Sequence, residues 1–400
     1  MKSKWTYRPL GELVSFASGG TPSKKRDGYW GGTIPWISAK TLKTENIDTS
    51  DLFITEEGLK AGSKIAPKGS ILLLTRGSGL FNGIPIARVE KDVAFNQDIK
   101  CLDSYGEVEN EFIFYWLLSQ KDYLMAKVGV TGIGAGKFDL DFLQKLMIPI
   151  PSERERKSIV GFANSISEKI RCNAKVNDNL EQQAVALFKS WFVDFSLFGG
   201  TVPENWEDTT LENITTLITR GIAPKYSDNS DQTVVNQKCI RNHTIDLSLA
   251  RTHTPKAINE KWLKFGDLLI NSTGDGTLGR VAQVWFTPKA LTVDSHVTIV
   301  RPAREELIFY IGLWGILHEK EIESLHTGST GQTELPRDRV KMLKLLLPDD
   351  SSLSRFNSII APMAPTIISN QEENQKLASL RDTLLPKLMS GEIDVSNIQL

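Results

Sequence analysis

What most limits the fold of this chain is an internal repeat whose period is about half of its 400 residues. Pro151 and Pro348, Ile166 and Met363, Ile170 and Ile367, Asn173 and Asn370, Leu180 and Leu377, Leu187 and Leu384, and Trp191 and Leu388 all stand 197 positions apart. Upstream the offset drifts. Leu10-Gly11-Glu12-Leu13 answers Leu211-Glu212-Asn213-Ile214, Gly20 answers Gly221, and Phe114-Tyr115 answers Phe309-Tyr310, so insertions fall in the earlier part of each copy. A length beyond one ordinary core and a sequence written twice predict two similar modules.

Each copy has two parts. The first reads mostly as strands, short apolar runs punctuated by glycine such as Gly69–Leu74 and Val281–Val284, with a helix at Glu111–Lys127 and a counterpart at Glu305–Glu323. The second part reads as one long helix. Ile159, Ala163, Ile166, Ile170, Val176, Leu180, Ala184, Leu187 and Trp191 follow three- and four-residue steps, with Glu168, Lys169, Asn173, Asn177, Glu181 and Gln182 expected on the other face. The second stripe is Phe356, Ile359, Ile360, Met363, Ile367, Leu377, Leu380, Leu384 and Leu388. Pro362 and Pro365 should restart or kink that helix, and Pro386 should disturb its end. A helix from Ser152 to Phe195 is roughly 60–65 Å long, too long to bury its stripe on one small module. The expected partner is the other copy's helix, packed antiparallel through Ile159, Ile166, Ile170, Leu180, Leu187, Trp191, Met363, Ile367, Leu377, Leu384 and Leu388, with the β modules at opposite ends. The division is 1–151 and 199–348 for the modules, and 152–198 and 349–400 for the helices.

Composition narrows the class. Hydrophobic residues at 40% and charged residues at 24% exclude a largely disordered or fibrous chain. No apolar run reaches membrane-span length, and Met1-Lys2-Ser3-Lys4-Trp5 lacks a signal peptide's features, so a cytoplasmic protein is expected. Cys101, Cys172 and Cys239 are odd in number and far apart, against a disulfide framework or zinc site. Net charge is −1, yet the stretch up to Lys43 is strongly basic, as is Arg220–Lys264.

Catalytic motifs are weak. Gly274–Gly279 fits GxGxxG, but the alternating Arg280–Val284 that follows predicts a hairpin turn rather than a dinucleotide fold. Gly132–Lys137 fails P-loop spacing, with Phe138 where a hydroxyl would hold Mg²⁺. Asp98-Ile99-Lys100 resembles the end of a nuclease site but lacks a second acid, and the other copy has His296-Val297-Thr298. No catalytic residue and no metal ligand is assigned, so the chain is expected to do no bond chemistry alone.

Two similar modules on rigid helices form a measuring device suited to a bipartite duplex site, since duplex DNA repeats every ~34 Å along one face. Loop residues able to reach bases or phosphates are Lys24, Lys25, Arg26, Lys40, Arg76, Ser78 and Asn82 in the first copy. In the second they are Lys225, Asn236, Gln237, Lys238, Arg241, Asn242, Arg251, Ser272 and Thr273. Two other classes are weighed beside DNA reading: a coiled-coil protein scaffold, and a self-sufficient DNA-modifying enzyme.

Ala186–Phe195, Leu384–Ile393, Asn236–Arg241 with Asp246–Arg251, and Gly266–Gly274 carry a resemblance over essentially the full length. The chain resembles the specificity (S) subunits of type I restriction–modification systems. That resemblance implies an α+β fold of two mostly-β target recognition domains, each with a few helices, separated by two long helices forming an antiparallel coiled coil. It implies recognition of a bipartite asymmetric DNA target, one half-site per domain. Two methyltransferase (M) subunits would bring S-adenosylmethionine and adenine-N6 chemistry, and two restriction (R) subunits would bring ATP- and Mg-dependent cleavage. This chain itself would bind no cofactor and contact no membrane. The prolines at 362 and 365 depart from the family pattern.

Overall fold

The computed structural model describes residues 5–395 except 133, 275 and 329–332, so Lys2, Lys4, Ile133 and Asp275 of the motifs above lie outside it. The chain forms two compact units, one of Met1–Arg171 with Asn374–Leu400, the other of Cys172–Glu373. Among the described residues no helix is long and apolar enough to cross a membrane.

The first unit is built on a five-stranded sheet ordered Val14–Ser18, Ile99–Ser104, Ile71–Leu74, Ile86–Val89, Asn46–Ile47. Ile71–Leu74 sits in the middle with all four side chains buried, which is why it reads as a continuous apolar run rather than an alternating one. Beside it are a four-stranded sheet around Trp30–Ile37 and a clasp of Thr6–Pro9 on Met147–Ile150. The helix Asn110–Ser119 is buried on seven of its ten residues, as its all-round apolar sequence requires.

The second unit repeats this plan. Thr215–Arg220, Val297–Pro302, Leu268–Asn271 and Val281–Gln283 form a sheet in the order of their counterparts, and Glu207–Thr210 clasps Lys344–Leu347. Buried Ile308–Leu317 answers Asn110–Ser119. Both helices stop short of the expected limits, and a shorter helix follows each, at Lys121–Met125 and Glu319–Ser324. Leu268–Asn271 pairs antiparallel with Val281–Gln283, so the glycine-rich segment between them is the hairpin connection its pattern predicts. The matched glycines Gly20 and Gly221 are required by close approach: a Cβ would lie 1.7 Å from the Gly62 carbonyl oxygen in one copy and 2.0 Å from that of Val293 in the other.

The first long helix runs Glu153–Phe192, 40 residues. The second is split, Asp350–Ile360 then Met363–Met389, with Pro362 in the break and Pro365 in the new first turn, where a missing N–H costs nothing. Pro386 is carried inside the helix, three residues before its end. The helix ends belong to the module cores. Ile159, Ala163 and Leu388 share one core in the first unit, and Leu384 packs against it. In the second unit Phe188, Trp191 and Phe192 stack with Tyr310 and Phe356 at centroid distances of 4.8–5.6 Å for most pairs, with Leu187 and Met363 packed alongside.

One expectation about the stripe is corrected. Asn173 and Asn177 are buried, whereas Val176 is 40% exposed. The four-three stepping from Ile159 through Ala163, Ile166 and Ile170 continues to Asn173 and Asn177, and polarity there does not mean exposure because the partner helix supplies acceptors and donors. Within the second unit Asn173 Nδ2 donates to Glu373 Oε2 at 2.7 Å and Asn177 Nδ2 to the Ile367 carbonyl at 3.1 Å. Asn370 Nδ2 donates to Asn177 Oδ1 at 2.8 Å. Partners that fall in number as the helix residue rises, down to Phe188 on Phe356, make this pairing antiparallel. Ile166 and Ile367 are buried; Ile170, Leu180 and Leu377 are half-buried.

A tryptophan sits where each long helix begins. Ser152 and Glu155 form a reciprocal cap: Glu155 Oε2 accepts from Ser152 N at 2.9 Å and Oγ at 2.6 Å, and Trp5 Nε1 donates to Glu155 Oε1 at 3.3 Å. At the repeat-equivalent positions the roles are exchanged, carboxylate first and hydroxyl third. Asp349 accepts from Ser351 N and Ser352 N, and Trp206 Nε1 donates to Asp349 Oδ2 at 2.8 Å. Burial alone would push the Asp349 carboxyl up, but the donors of Ser351, Ser352 and Trp206 outweigh it and hold the group well below the ordinary carboxylate range. The same tryptophans receive the other helix's end: Gly391 lies against the Trp5 ring, and Phe192 against Trp206 at 5.6 Å.

Candidate nucleic-acid interface

In the first unit the Lys24, Lys25 and Arg26 side chains are exposed, and the Arg26 guanidinium donates to the Tyr29 hydroxyl at 2.8 Å while lying 5.5 Å from its ring. Lys40 is exposed in the turn after Trp30–Ile37, and the neighbouring Ala39 lies beside Gly77, so this turn borders the Arg76–Gly77 strand. Ser78 and Asn82 are exposed in the short turn that follows.

Arg76–Gly77 pairs antiparallel with Gly136–Lys137, which pairs with Gly129–Val130. Arg76 stands directly opposite Lys137, and both are exposed. Like charges facing each other across a ladder cost stability unless an anion is recruited, and neither cation has a carboxylate partner among the described residues. To local pattern Lys137 is only the tail of a failed P-loop; its pairing with a residue 61 positions away is invisible there.

The second unit has different residues at the same place. Counted by 197, Arg76 becomes Thr273 and Lys137 becomes Glu334, and these two form a bridge. Glu334 is ion-paired with Arg220 at 2.7 Å. Thr273 Oγ1 lies 2.6 Å from His296 Nδ1 and donates to Gln237 Oε1 at 3.2 Å. Asn271 Nδ2 donates to the Gln237 carbonyl at 3.0 Å, and its buried Oδ1 has no partner among the described residues. Two expected residues, Gln237 and Thr273, are thus brought together, joined by Asn271 and His296, which sequence reasoning did not select. Burial pushes the adjacent Asp294 carboxyl up while it accepts from His296 N at 2.9 Å.

The other expected residues lie apart from this cluster. Asn236 is an Asx cap, accepting from Lys238 N and donating to the Leu249 carbonyl. Asn242 forms the tip of a two-residue hairpin with His243, both in the left-handed region at φ 50° and 59°. Arg251 stacks on Tyr226 at 3.6 Å, and Lys225, Lys238 and Arg241 are exposed. Ser272 differs from its expectation: it has no exposed surface and its hydroxyl bonds Thr298 at 2.5 Å, because successive strand residues face opposite sides and Thr273 takes the outer one. Asp98 is tied to Asn96, Lys100 contacts the Ser18 hydroxyl, and the described residues hold no cluster of metal-ligating groups.

Comparison with known proteins finds similarity along most of the chain. Residues 2–182 match the type I restriction modification DNA specificity domain. The type I restriction enzyme MjaIX specificity subunit of Methanocaldococcus jannaschii is 27% identical over 426 residues, covering 98% of this chain and 94% of that protein. The EcoR124I/EcoR124II specificity subunit of Escherichia coli is 31% identical over 156 residues, 38% of this chain and 39% of its own. The S subunit of a type I restriction–modification system from M. genitalium shares the fold at a TM-score of 0.57 and 17% identity, over 96% of each chain.

Proposed function

Taking the chain as a type I restriction–modification specificity subunit with a DNA specificity domain, we propose that it recognises a bipartite, asymmetric DNA target and is itself non-catalytic. Segments 1–151 and 199–348 each read one half-site, and 152–198 and 349–400 scaffold methyltransferase and restriction subunits, which supply adenine-N6 methylation and ATP-dependent cleavage. The observation that carries this is divergence at equivalent positions on a shared frame. Arg76 opposite Lys137 suits phosphate or guanine, whereas the Gln237–Thr273–His296 network offers neutral donors and acceptors. Two readers of unlike half-sites need such a difference. Exposed Lys24, Lys25, Arg26, Lys225 and Arg251 would add backbone contacts.

The test is the methylated motif, read by sequencing, in a host expressing this subunit with its methyltransferase partner. Replacing residues 1–151 with another subunit's module should change one half of the motif only. A swap that altered both halves together would refute independent reading.

A further inference from the structure

The two units differ at a second equivalent place, where the long helices meet the sheet module. In the first unit that place is stitched by ions. Arg381 grips Glu45 at 2.6 and 3.1 Å, Lys121 reaches the same carboxylate at 3.2 Å, and Arg171 pairs with Glu90 at 3.1 Å. In the second unit the repeat replaces all three cations with apolar side chains: Arg381 becomes Ala184, Arg171 becomes Ile368, and Lys121, counted by the 195 offset of Phe114 and Phe309, becomes Ile316. Two of these, Ile316 and Ile368, line a cavity of about 450 Å³.

Its walls are mainly apolar, with Ile245, Trp285, Phe286, Leu313, Ile316 and Ile367 prominent. Asp178, Glu181, Lys189 and His243 are the charged or titratable groups that face it. Asp178 accepts from Gln182, Lys189 is exposed, and His243 Nε2 lies 3.6 Å from the Glu319 carboxylate. Glu181 has no hydrogen bond or ion pair among the described residues, and burial pushes its carboxyl up against the weaker pull of His243. A volume of this size, apolar walls and one polar group without a mate are the ordinary make-up of a small-molecule site.

We propose that this cavity binds a fragment-sized organic cation, its apolar or aromatic body against Trp285, Phe286 and Ile316 and its ammonium group on the Glu181 carboxylate. The cation takes the place of the fixed arginine and lysine of the first unit, so the ligand completes in one module what the chain completes covalently in the other. Nothing in this depends on which bases are read.

The test uses the full chain and three indoles of one shape and different charge: tryptamine, 3-ethylindole and indole-3-propionate, titrated by calorimetry. Tryptamine should bind about tenfold or more tightly than 3-ethylindole, the difference expected of one charge-assisted hydrogen bond, and indole-3-propionate weakest of the three. Glu181→Gln should bring tryptamine down to the level of 3-ethylindole, and Ile316→Lys, the residue type of the first unit, should abolish binding of both. Failure of the wild-type chain to bind tryptamine at millimolar concentration would overturn the proposal, as would equal affinity for all three probes or an unchanged tryptamine affinity in Glu181→Gln. Glu181 is half-buried on a helix surface, so its variant decides the matter even where Ile316→Lys fails to fold.

Discussion

Arg301→Met should be among the most damaging single substitutions in the second unit. Arg301 is 9% exposed and Asp267 is fully buried. Arg301 Nε and Nη2 donate to the Asp267 carboxylate at 2.8 and 2.7 Å, and Nη1 and Nη2 donate to the carbonyls of Glu260 and Trp262 at 2.8 and 2.7 Å. Methionine fills most of the volume but leaves Asp267 with only the Lys264 N–H, at 2.8 Å, in place of a bidentate cation. A buried charge stripped of its partner costs about 3–5 kcal/mol. For a unit of roughly 200 residues each kcal/mol moves the midpoint by about 2–4 °C, so the transition should fall by roughly 6–20 °C in differential scanning calorimetry. Asp267→Leu combined with Arg301→Met should recover most of that loss, since no charge is then left buried. The first copy supplies a control: the neutral Ser70 holds the position of Asp267 and donates to the Pro67 carbonyl, so Ser70→Ala should cost about 1 kcal/mol. If Arg301→Met lowered stability by less than about 1 kcal/mol, the pair would not be an isolated buried charge couple and the reasoning would fail.

Other outcomes follow from the same geometry. Asp349→Ala should cost about 0.5–2 kcal/mol near neutral pH as a lost helix cap. Because the folded carboxyl titrates below its unfolded value of about 3.9, that contribution is full above roughly pH 5 and fades as pH falls toward the folded value, so melts of variant and wild type should converge in acid. Arg76→Ala with Lys137→Ala should weaken DNA binding by the assembled complex and lower the slope of log affinity against log salt by about two, while an unchanged slope would place both cations off the backbone. Asn177→Leu should destabilise the helix pair by about 1–3 kcal/mol, because Asn370 and the Ile367 carbonyl each lose a partner. Asn177→Leu with Asn370→Leu should restore melting temperature but broaden the choice of register, read by cysteine cross-linking across the seam.

Sequence periodicity located the long helices closely because their stripes repeat with one offset and their starts are capped by local residues. The expected Ser152–Phe195 became Glu153–Phe192, and the break at Pro362 followed from a missing N–H. It misplaced Asn173 and Asn177, since polarity stands in for exposure only where no partner segment supplies hydrogen bonds. The candidate interface was legible only in part. Exposed lysines and arginines in loops can be picked by type, but the pairing of Arg76 with Lys137, the joining of Gln237 to Thr273 and the burial of Ser272 depend on strand register between distant residues. The unfilled place near Glu181 was hidden for a related reason: a cavity is the absence of side chains, and only alignment of Arg381, Arg171 and Lys121 with Ala184, Ile368 and Ile316 brings it out.

The first unit is made of two pieces of chain, and this sets an order in time. Its tryptophan, Trp5, is synthesised before the second unit, but the Leu388–Gly391 turn that covers it is synthesised after that unit. Between Arg171 and Asn374 the ribosome must deliver the whole second unit, which at about 5–20 residues per second takes roughly 10–40 seconds. The second unit is contiguous and can close as it emerges; the first must wait, its core open beside Ile159 and Ala163, until the segment from Asn374 onward is made. A premature stop near Leu377 would therefore spare the module nearer to it in sequence and cripple the one encoded farther upstream.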